Sequence, residues 1–207
     1  FKDLENECGL HGNAIFSRYP IRNAALIPID DGSEWFVRAP KNDGQHRVGG
    51  RMAIAAELET PDGPLAVAAV HYESESTPAT RGEQTRRMLA AMDGLYGDLP
   101  VVIGGDLNTA TLAADTHSRH QRLNEPQDDE PCFQIFAAHD YRWGDGNTGE
   151  TTTRHPPNRI IRHPHKTIDW LFVRGGRLFD PAVIPAVLDD DDYLSDHDMV
   201  AAYLSLS

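Results

Sequence analysis

Two short polar segments, each directly next to an apolar run, restrict the fold of this chain most. Residues 99–103 form an almost continuous apolar run, typical of a strand covered on both faces, and Gly104-Gly105-Asp106-Leu107-Asn108-Thr109 follows it. Ser195-Asp196-His197-Asp198 stands just before the closing apolar run at 199–206. In α/β proteins, groups that act on ligands lie at strand ends along one edge of a sheet. We therefore expect a sheet whose strand ends carry both segments.

Strands outnumber helices in the remaining pattern. Residues 24–29 predict a strand at a sheet edge or exit, because Pro28 cannot donate to a central ladder. The turn Pro61-Asp62-Gly63-Pro64 predicts an antiparallel hairpin of residues 51–58 with 65–71. Residues 80–92 have the apolar spacing of an amphipathic helix. The other predicted elements are strands at 13–16, 167–173 and 199–206, a short helix at 133–138, a broken or edge-like segment at 178–187, and loop or irregular structure at 40–50, 110–131 and 145–154.

Length and composition are typical of one soluble globular domain. The 207 residues, of which 40% are hydrophobic and 25% charged, allow a single domain over 1–207 with a substantial core. No apolar run approaches the ~20 residues of a membrane-spanning helix. Cys8 and Cys132 are far apart in sequence, which favours two free thiols and leaves one disulfide open. The compartment, cytoplasmic or secreted, and the oligomeric state stay open.

The charge of the chain narrows the partners that it is expected to bind. A net charge of −13 repels phosphate backbones at long range, because counterion release requires clustered Lys and Arg. This disfavours tight non-specific binding of DNA, but it does not exclude a cleaving enzyme whose metal supplies the positive charge. The one basic stretch, residues 154–166, either lines a phosphate-binding cleft, with Arg154 on the substrate, or is a solvated loop.

Asp106 and Asn108 are the first candidate site residues. In an extended segment, residues two apart point to the same side, so a carboxylate and a carboxamide would face one site directly after a strand. The alternative is an Asx turn that only caps the strand exit. Oxygen ligands with a nearby histidine suit Mg²⁺-assisted phosphoryl chemistry better than zinc or serine chemistry. The other polar segments of the chain favour the site over the turn.

Three more residues join this set on chemical grounds. Asp169 stands in the middle of the apolar segment 167–173, where an unpaired buried carboxylate is costly, so it needs a partner such as a histidine. His197 and its neighbour Asp196 combine an imidazole with a carboxylate, which suits a metal and a phosphate. The alternatives for Asp196 are a solvated acidic loop and a helix cap. His71 ends the predicted strand 65–70, a position that is more often structural than catalytic.

Five segments in this order resemble the DNase I-like endonuclease/exonuclease/phosphatase superfamily. Each is weak alone, but together they span residues 12–197. The segments are Gly12-Asn13-Ala14-Ile15-Phe16-Ser17-Arg18, Val70-His71-Tyr72-Glu73 with Arg81 and Gln84 on the next helix, Gly105-Asp106-Leu107-Asn108-Thr109, Ile168-Asp169-Trp170, and Ser195-Asp196-His197. The resemblance implies an α/β (α+β) fold in which helices flank a two-sheet β-sandwich, with the site where the two sheets meet.

The resemblance also implies roles for the residues that act on the attacking water and for His197. Asp106 and Asn108 would hold or activate the attacking water, and Asn108 would contact the phosphate. His197 would contact the scissile phosphate and serve as an acid/base group, with Asp169 orienting it. These are the parts that in-line displacement at phosphorus requires on the attacking side.

The same resemblance implies roles for the residues that act on the leaving group and on the metal. His71 would bind the phosphate and protonate the leaving oxygen, and Asp196 would help to ligate Mg²⁺ (or Mn²⁺). The implied function is a divalent-metal-dependent phosphoesterase that hydrolyses a phosphodiester or a phosphomonoester. The substrate would be a small molecule, lipid-like or a nucleic acid.

The chain departs from the superfamily at its start. The superfamily carries an Asn and a metal-binding Glu on strands that precede the Gly-Asn-Ala segment, and eleven residues precede Gly12 here. Glu5 and Glu7 lie too close to Gly12 to occupy that strand. We therefore expect an N-terminally incomplete domain that lacks N-terminal strands and the principal Glu ligand. Two alternative functions follow, a degenerate non-catalytic binding module of the same fold and an extracellular nuclease.

Overall fold

A mixed sheet of five strands organises the part of the chain that this computed structural model describes, residues 12–31, 50–154, 164–189 and 192–206. β3 and β4 are parallel, and all other neighbours in the sheet are antiparallel. Parallel neighbours end at the same edge of a sheet, so β3 and β4 carry their last residues to one place. The strands in spatial order are β1 (Ile21–Pro28), β2 (Met52–Thr60), β3 (Gly63–His71), β4 (Val101–Asp106) and β5 (Asp169–Arg174).

Helices cover one face of this sheet. α1 (Pro78–Tyr96) follows β3 and begins where the Thr77 side chain accepts a hydrogen bond from the Thr80 N–H. α2 (Arg119–Asn124) and α3 (Pro131–Ala138) follow β4, and α3 packs against α1. The sheet residues beneath them include small side chains that permit a close approach, and the α1 side chains that fill the layer are Met88, Leu89 and Met92, all fully buried.

Aromatic packing joins α3 to β5. The ring of Phe136 stacks on Phe172 with centroids 3.8 Å apart, and Phe133 meets Trp170 edge-on at 4.8 Å. The neighbouring Cys132 is a buried free thiol, and burial raises its pKa. The expectation of a free thiol is thus confirmed for Cys132, while Cys8 lies outside the described residues. The packing holds the strand that begins with Asp169 firmly on the helical layer.

The C-terminal part of the chain forms a second, smaller sheet. β6 (Arg177–Ile184) pairs antiparallel with β9 (Met199–Ser205), and β9 lies next to β5. The register slips between Phe179 and Ala182, at Pro181, which lacks the N–H of a regular ladder. A short hairpin of β7 (Val187–Asp189) and β8 (Asp192–Tyr193) lies between β6 and β9. The predicted break within 178–187 is confirmed, since β6 ends before Pro185.

Several predicted elements are confirmed. The hairpin of 51–58 with 65–71 is the β2–β3 pair, and the edge strand at 24–29 is β1, which ends at Pro28. The helix at 80–92 is longer in the structure because Thr77 and Pro78 supply an earlier start. The predicted loop at 40–50 lies outside the described residues except for Gly50. Among the described helices, none is both long enough and apolar enough to cross a membrane.

Two predicted elements are wrong. Residues 13–16 form no strand; they are irregular, Phe16 is 95% exposed, and none of the described strands pairs with them. Residues 110–131 are not one long loop, because they contain α2 and a 3₁₀ turn at Pro126–Asp128. α2 has no apolar stripe that a periodicity could reveal, and it is held by a capping box between Ser118 and Gln121.

Candidate active site

The register of three adjacent strands builds the candidate site. His71, the last residue of β3, is paired with Asp106, the last residue of β4. Asp106 is in turn paired with Asp169, the first residue of β5. Asp169 therefore starts its strand, which corrects the prediction that places it in the middle of an apolar segment. Paired residues share a face of the sheet, so one imidazole and two carboxyl groups stand in a row along one edge.

His197 completes this row from the second sheet. It precedes β9 and is bridged to Thr153, which brings its ring over the start of β5. Its Nδ1 lies 3.0 Å and 3.2 Å from the two carboxylate oxygens of Asp169. The predicted pairing of Asp169 with a histidine is therefore present in the structure. We call Asp106, Asp169, His71 and His197 the edge cluster.

The edge cluster is compact and only partly open to solvent. One ligand atom each from Asp106, Asp169 and His197 lies within 4.8 Å of the others. His71 Nε2 lies 3.4 Å from Asp106 Oδ2. The side chains of Asp106 and Asp169 are 13% and 14% exposed, against 28% and 31% for His71 and His197. The carboxyl groups thus form the floor of the site, and the two imidazoles form its rim.

Burial and mutual charge shift the protonation of this cluster. Burial, with the charge of Asp169, raises the pKa of Asp106 to about 7, against smaller opposing effects of His197 and of the Asn108 N–H. Burial would lower the pKa of His197, but its hydrogen bond to Asp169 and the charges of Asp169, Asp106 and Asp196 raise that pKa to about 9. Near neutral pH, His197 is therefore a cation beside a carboxyl group that is poised to ionise.

Asn108 enters the site through a turn and not through an extended segment. Its φ of 49° places it in the left-handed region, and its N–H donates to Asp106 Oδ1 at 2.7 Å. This is the Asx turn that the sequence leaves open as an alternative, and the argument from an extended segment is wrong. The Asn108 side chain still returns to the site edge, where Nδ2 donates to the Tyr72 carbonyl at 2.9 Å. Asn108 therefore takes part in the Asx turn and also lies at the edge of the site.

Gly105 permits the close approach of β3 and β4 beneath the site. Its φ is +143°, and a Cβ at this position would lie 2.0 Å from the Val70 carbonyl oxygen. No other residue fits this backbone. The glycine in the Gly-Asp-Leu-Asn segment thus sets the depth at which Asp106 leaves the strand.

Arg154 and Asp196 are placed differently from the edge cluster. The Arg154 Nε and Nη2 groups donate to the two carboxylate oxygens of Asp198 at 2.6 Å and 2.8 Å. Its backbone N–H donates to the Asp196 carbonyl. This geometry ties Arg154 to the segment that carries His197, and the substrate contact stays a prediction. Asp196 lies beside His197 but is not part of the compact three-residue group, and its metal role also stays a prediction.

Sequence reasoning assigned no role to several polar residues behind the site, although Glu73 and Gln84 stand in the segments that carry the resemblance. Gln84 on α1 accepts from the Glu73 N–H at 3.2 Å and donates to Asp30. Arg51 lies 3.4 Å from Glu73, and its charge lowers the pKa of Asp106 slightly against the effect of burial. The signal available in the sequence was weak, since these residues lie in three separate elements. Thr152, whose hydroxyl accepts from the Asp169 N–H, was missed as well.

The donor chemistry of the cluster fits a hard divalent cation. Two carboxyl groups face each other closely enough that the charge of Asp169 raises the pKa of Asp106. A cation at this place would relieve that repulsion, and carboxylate oxygen is the ligand that Mg²⁺ and Mn²⁺ prefer. Both oxygens of Asp169 lie within 3.2 Å of His197 Nδ1, whereas the Asn108 N–H takes up only Oδ1 of Asp106, so Asp106 Oδ2 is the better candidate ligand.

Comparisons with solved structures place this fold among longer proteins. A functionally unknown conserved protein from Enterococcus faecalis V583 is 14% identical, with a TM-score of 0.58 over 90% of this chain and 66% of that one. An endonuclease/exonuclease/phosphatase from Beutenbergia cavernae DSM 12333 is 20% identical, with a TM-score of 0.57 over 91% and 46%. The human Nocturnin catalytic domain with bound sulfate is 18% identical, with a TM-score of 0.55 over 91% and 60%. The chain thus spans about two thirds or less of the length of these structures.

The family assignment rests on a sequence match. A search of curated proteins gave no match. The model of the Endonuclease/Exonuclease/phosphatase family matches residues 4–197, which includes every member of the edge cluster. Helices flank mixed sheets as in the DNase I-like structures of that family. The chain therefore belongs to the endonuclease/exonuclease/phosphatase family.

Proposed function

We propose that this chain is a divalent-metal-dependent phosphoesterase that hydrolyses a phosphodiester or phosphomonoester by in-line attack of water. The observation that carries the proposal is the edge cluster, in which two carboxyl groups and two imidazoles meet at the ends of three strands. Members of the family are generally hydrolases of phosphoesters. A cluster of this composition supplies both a carboxylate as proton acceptor and a protonated imidazole, His197, at one edge of the sheet.

Asp106 and Asn108 would act on the attacking water. Ionised Asp106 accepts a hydrogen bond from that water and orients one of its lone pairs toward phosphorus. Its side chain is 13% exposed and lies on the floor of the site, where a carboxylate can accept a proton from the water. Asn108 is held by the Tyr72 carbonyl, and its amide would contact a phosphoryl oxygen.

His197 and Asp169 would act on the phosphate. The Nδ1–H of His197 donates to Asp169, which leaves Nε2 as the nitrogen that meets a phosphoryl oxygen. Protonated His197 stabilises the negative charge that builds up there. Asp169 both fixes the ring orientation and keeps the ring protonated.

His71 would serve the leaving oxygen. Its Nε2 lies 3.4 Å from Asp106 Oδ2, and its imidazole stands on the rim of the site, where it would bind the phosphate. A protonated His71 donates to the leaving oxygen as the ester bond breaks. Asp106 would also hold Mg²⁺ or Mn²⁺, with Asp196 as the further predicted ligand, and the metal when bound would offset charge on the phosphoryl oxygens.

The substrate proposal follows from charge and from the named relatives. A mannosyl-6-phosphatase from Bacteroides thetaiotaomicron VPI-5482 is 16% identical, with a TM-score of 0.55 over 90% of this chain and 67% of that one. The net charge of −13 disfavours long duplex DNA. We therefore place a small or lipid-like phosphoester ahead of a nucleic acid as the substrate. The unit that acts on it would be the single domain over 1–207.

The test is metal-dependent turnover with a matched pair of variants. Hydrolysis of bis(p-nitrophenyl) phosphate, p-nitrophenyl phosphate, a phospholipid panel and plasmid DNA is measured with Mg²⁺, with Mn²⁺ and with EDTA. We expect turnover with metal, a loss of at least ~10²-fold in Asp106→Asn, and full activity in Asp98→Asn, an exposed aspartate before β4. Absence of both metal binding and turnover on every ester would instead support the binding module. Cleavage of plasmid DNA alone would support the nuclease.

A further inference from the structure

In the described part of the chain, the outer edge of β5 is closed by a backbone bridge between Arg142 and Val173 and by two side chains, and not by a further full strand. The Asn147 carboxamide oxygen accepts from the Leu171 N–H at 2.9 Å, and its Nδ2 donates to the Leu171 carbonyl at 2.7 Å. At the start of the strand, Thr152 Oγ1 accepts from the N–H groups of Ile168 and Asp169 at 3.1 Å and 3.2 Å. The segment that carries Asn147 and Thr152 therefore satisfies backbone groups that an edge strand would otherwise expose.

Thr152 occupies a particular place in this segment. Its side chain is buried, with the residue 1% exposed. Its hydroxyl oxygen holds the backbone of Asp169, and its carbonyl oxygen accepts from the Asp198 N–H at 2.7 Å. Asp198 directly follows His197. One residue thus holds the chain at Asp169 and the chain next to His197, which come from the two different sheets.

We propose that Thr152 is a positioning residue for the Asp169–His197 pair. Its hydroxyl fixes where the first residue of β5 stands, and its carbonyl fixes the segment that brings His197 over it. In the described part of the chain, the hydrogen bonds of Thr152 go to backbone groups and not to the side chains of the edge cluster. The consequence for catalysis rests on the proposed function, whereas the consequence for the backbone does not.

The Asp169–His197 pair depends on accurate positioning because its hydrogen-bonded atoms must keep a short separation. The Nδ1–carboxylate distances of 3.0 Å and 3.2 Å leave little room for displacement. Without the Thr152 hydroxyl, two N–H groups at the buried start of β5 lose their acceptor, and this end of the strand frays. A displacement of about 1 Å in a catalytic group costs up to roughly 10²-fold in rate. Substrate binding is expected to change little, so kcat falls while KM stays similar.

Three variants separate positioning from general stability. Thr152→Val removes the hydroxyl at nearly constant volume, and Thr152→Ser restores it with one methyl fewer. Thr167→Val is the matched control, because Thr167 is 2% exposed and its hydroxyl donates to the Glu150 carbonyl at 2.9 Å and not to the backbone of Asp169. All three are compared with the unaltered 207-residue chain in thermal unfolding, so that any difference in folding is known.

The first readout is amide hydrogen exchange by NMR, which requires no activity. We expect the N–H groups of Ile168 and Asp169 to be protected in the unaltered chain, in Thr152→Ser and in Thr167→Val. Their protection should fall at least about tenfold in Thr152→Val, while the β4 amides keep theirs. Equal protection in Thr152→Val would overturn the proposal. If valine prevents folding, Thr152→Ala is measured in the same comparison.

The second readout is the split between kcat and KM on the best ester from the preceding test. We expect kcat to fall about 10- to 100-fold in Thr152→Val, with KM changed less than about threefold, and to recover within about threefold in Thr152→Ser. An equal loss in Thr167→Val, or no recovery in serine, would overturn the positioning role. If the unaltered chain turns over no ester, the proposed function fails, and the exchange readout alone decides the role of Thr152.

Discussion

At Gly105, the absence of a side chain lets β4 pass the Val70 carbonyl and reach the site. We predict that Gly105→Ala destabilises the protein by at least about 2 kcal/mol, because the new Cβ would meet a backbone oxygen at 2.0 Å in a left-handed conformation. Gly94→Ala, with nothing within 4 Å of the new Cβ in α1, should stabilise by up to about 1 kcal/mol. Urea unfolding of both variants measures the difference, and equal effects would contradict this account.

Asp106 shows how a site residue lowers stability. Its pKa is raised to about 7 in the folded protein, so the folded state retains a proton that the unfolded chain has already lost. The proton that Asp106 retains contributes its full stabilisation below the ordinary carboxyl pKa. This contribution is lost as the pH rises through about 7. Asp106→Asn removes the ionisation.

We therefore predict that Asp106→Asn in EDTA raises the melting temperature more at pH 8 than at pH 5. The measurement is thermal unfolding of both proteins across this range in buffers of equal ionic strength. Asp98→Asn serves as the control, because that aspartate is exposed. A gain for Asp106→Asn that is the same at both pH values would show that the carboxyl group ionises normally.

At the scale of elements, a buried ion pair ties the loops that follow β3 and β4 together. Arg81 on α1 donates to Glu130 before α3 at 2.8 Å and 2.6 Å, and both residues are almost completely buried. Arg81 also donates to Ser76 after β3, and Thr111 after β4 donates to Glu130. The loops beyond His71 and Asn108 therefore share one anchor.

We predict that Arg81→Met destabilises the protein by about 3–5 kcal/mol, because it leaves Glu130 buried without its cation. The double variant Arg81→Met with Glu130→Leu should recover part of that loss. Arg86→Met is the control, since its pair with Glu83 is about half exposed and is worth less than about 1 kcal/mol. Chemical denaturation gives the three values. A double variant less stable than Arg81→Met would contradict the buried-charge explanation.

At the scale of the whole molecule, the net charge of −13 makes the folded chain repel itself. Screening by NaCl should therefore stabilise it, and the question is whether Mg²⁺ stabilises it by more than screening. We predict that MgCl₂ raises the melting temperature above NaCl of equal ionic strength, because binding to the folded state alone adds stability. An extra 1 kcal/mol corresponds to about 2–4 °C for a domain of this size.

The extra effect of Mg²⁺ should vanish in Asp106→Asn and persist in Asp98→Asn. Differential scanning calorimetry of the three proteins in both salts provides the measurement. If MgCl₂ and NaCl act alike on the unaltered chain, the edge cluster of these 207 residues does not hold the ion, which would favour the binding module over the enzyme.

The local elements were largely predictable from the sequence. The β2–β3 hairpin follows from a strong turn between two apolar runs, and β4 follows from its continuous apolar character. α2 was missed because polar residues and a capping box, and not an apolar stripe, hold it. Residues 13–16 were wrongly predicted as a strand, because none of the described strands pairs with their apolar pattern.

The sequence by itself determined which residues could do chemistry and that the Gly-Asp-Leu-Asn and Ser-Asp-His segments stand next to strands, because apolar runs and turn residues act locally. Only the tertiary structure decided which of them meet. The register of β3, β4 and β5 aligned His71 with Asp106 and Asp106 with Asp169, and the second sheet brought His197 to Asp169 and Arg154 to Asp198. Such partnerships depend on packing between distant segments, and no local periodicity encodes them.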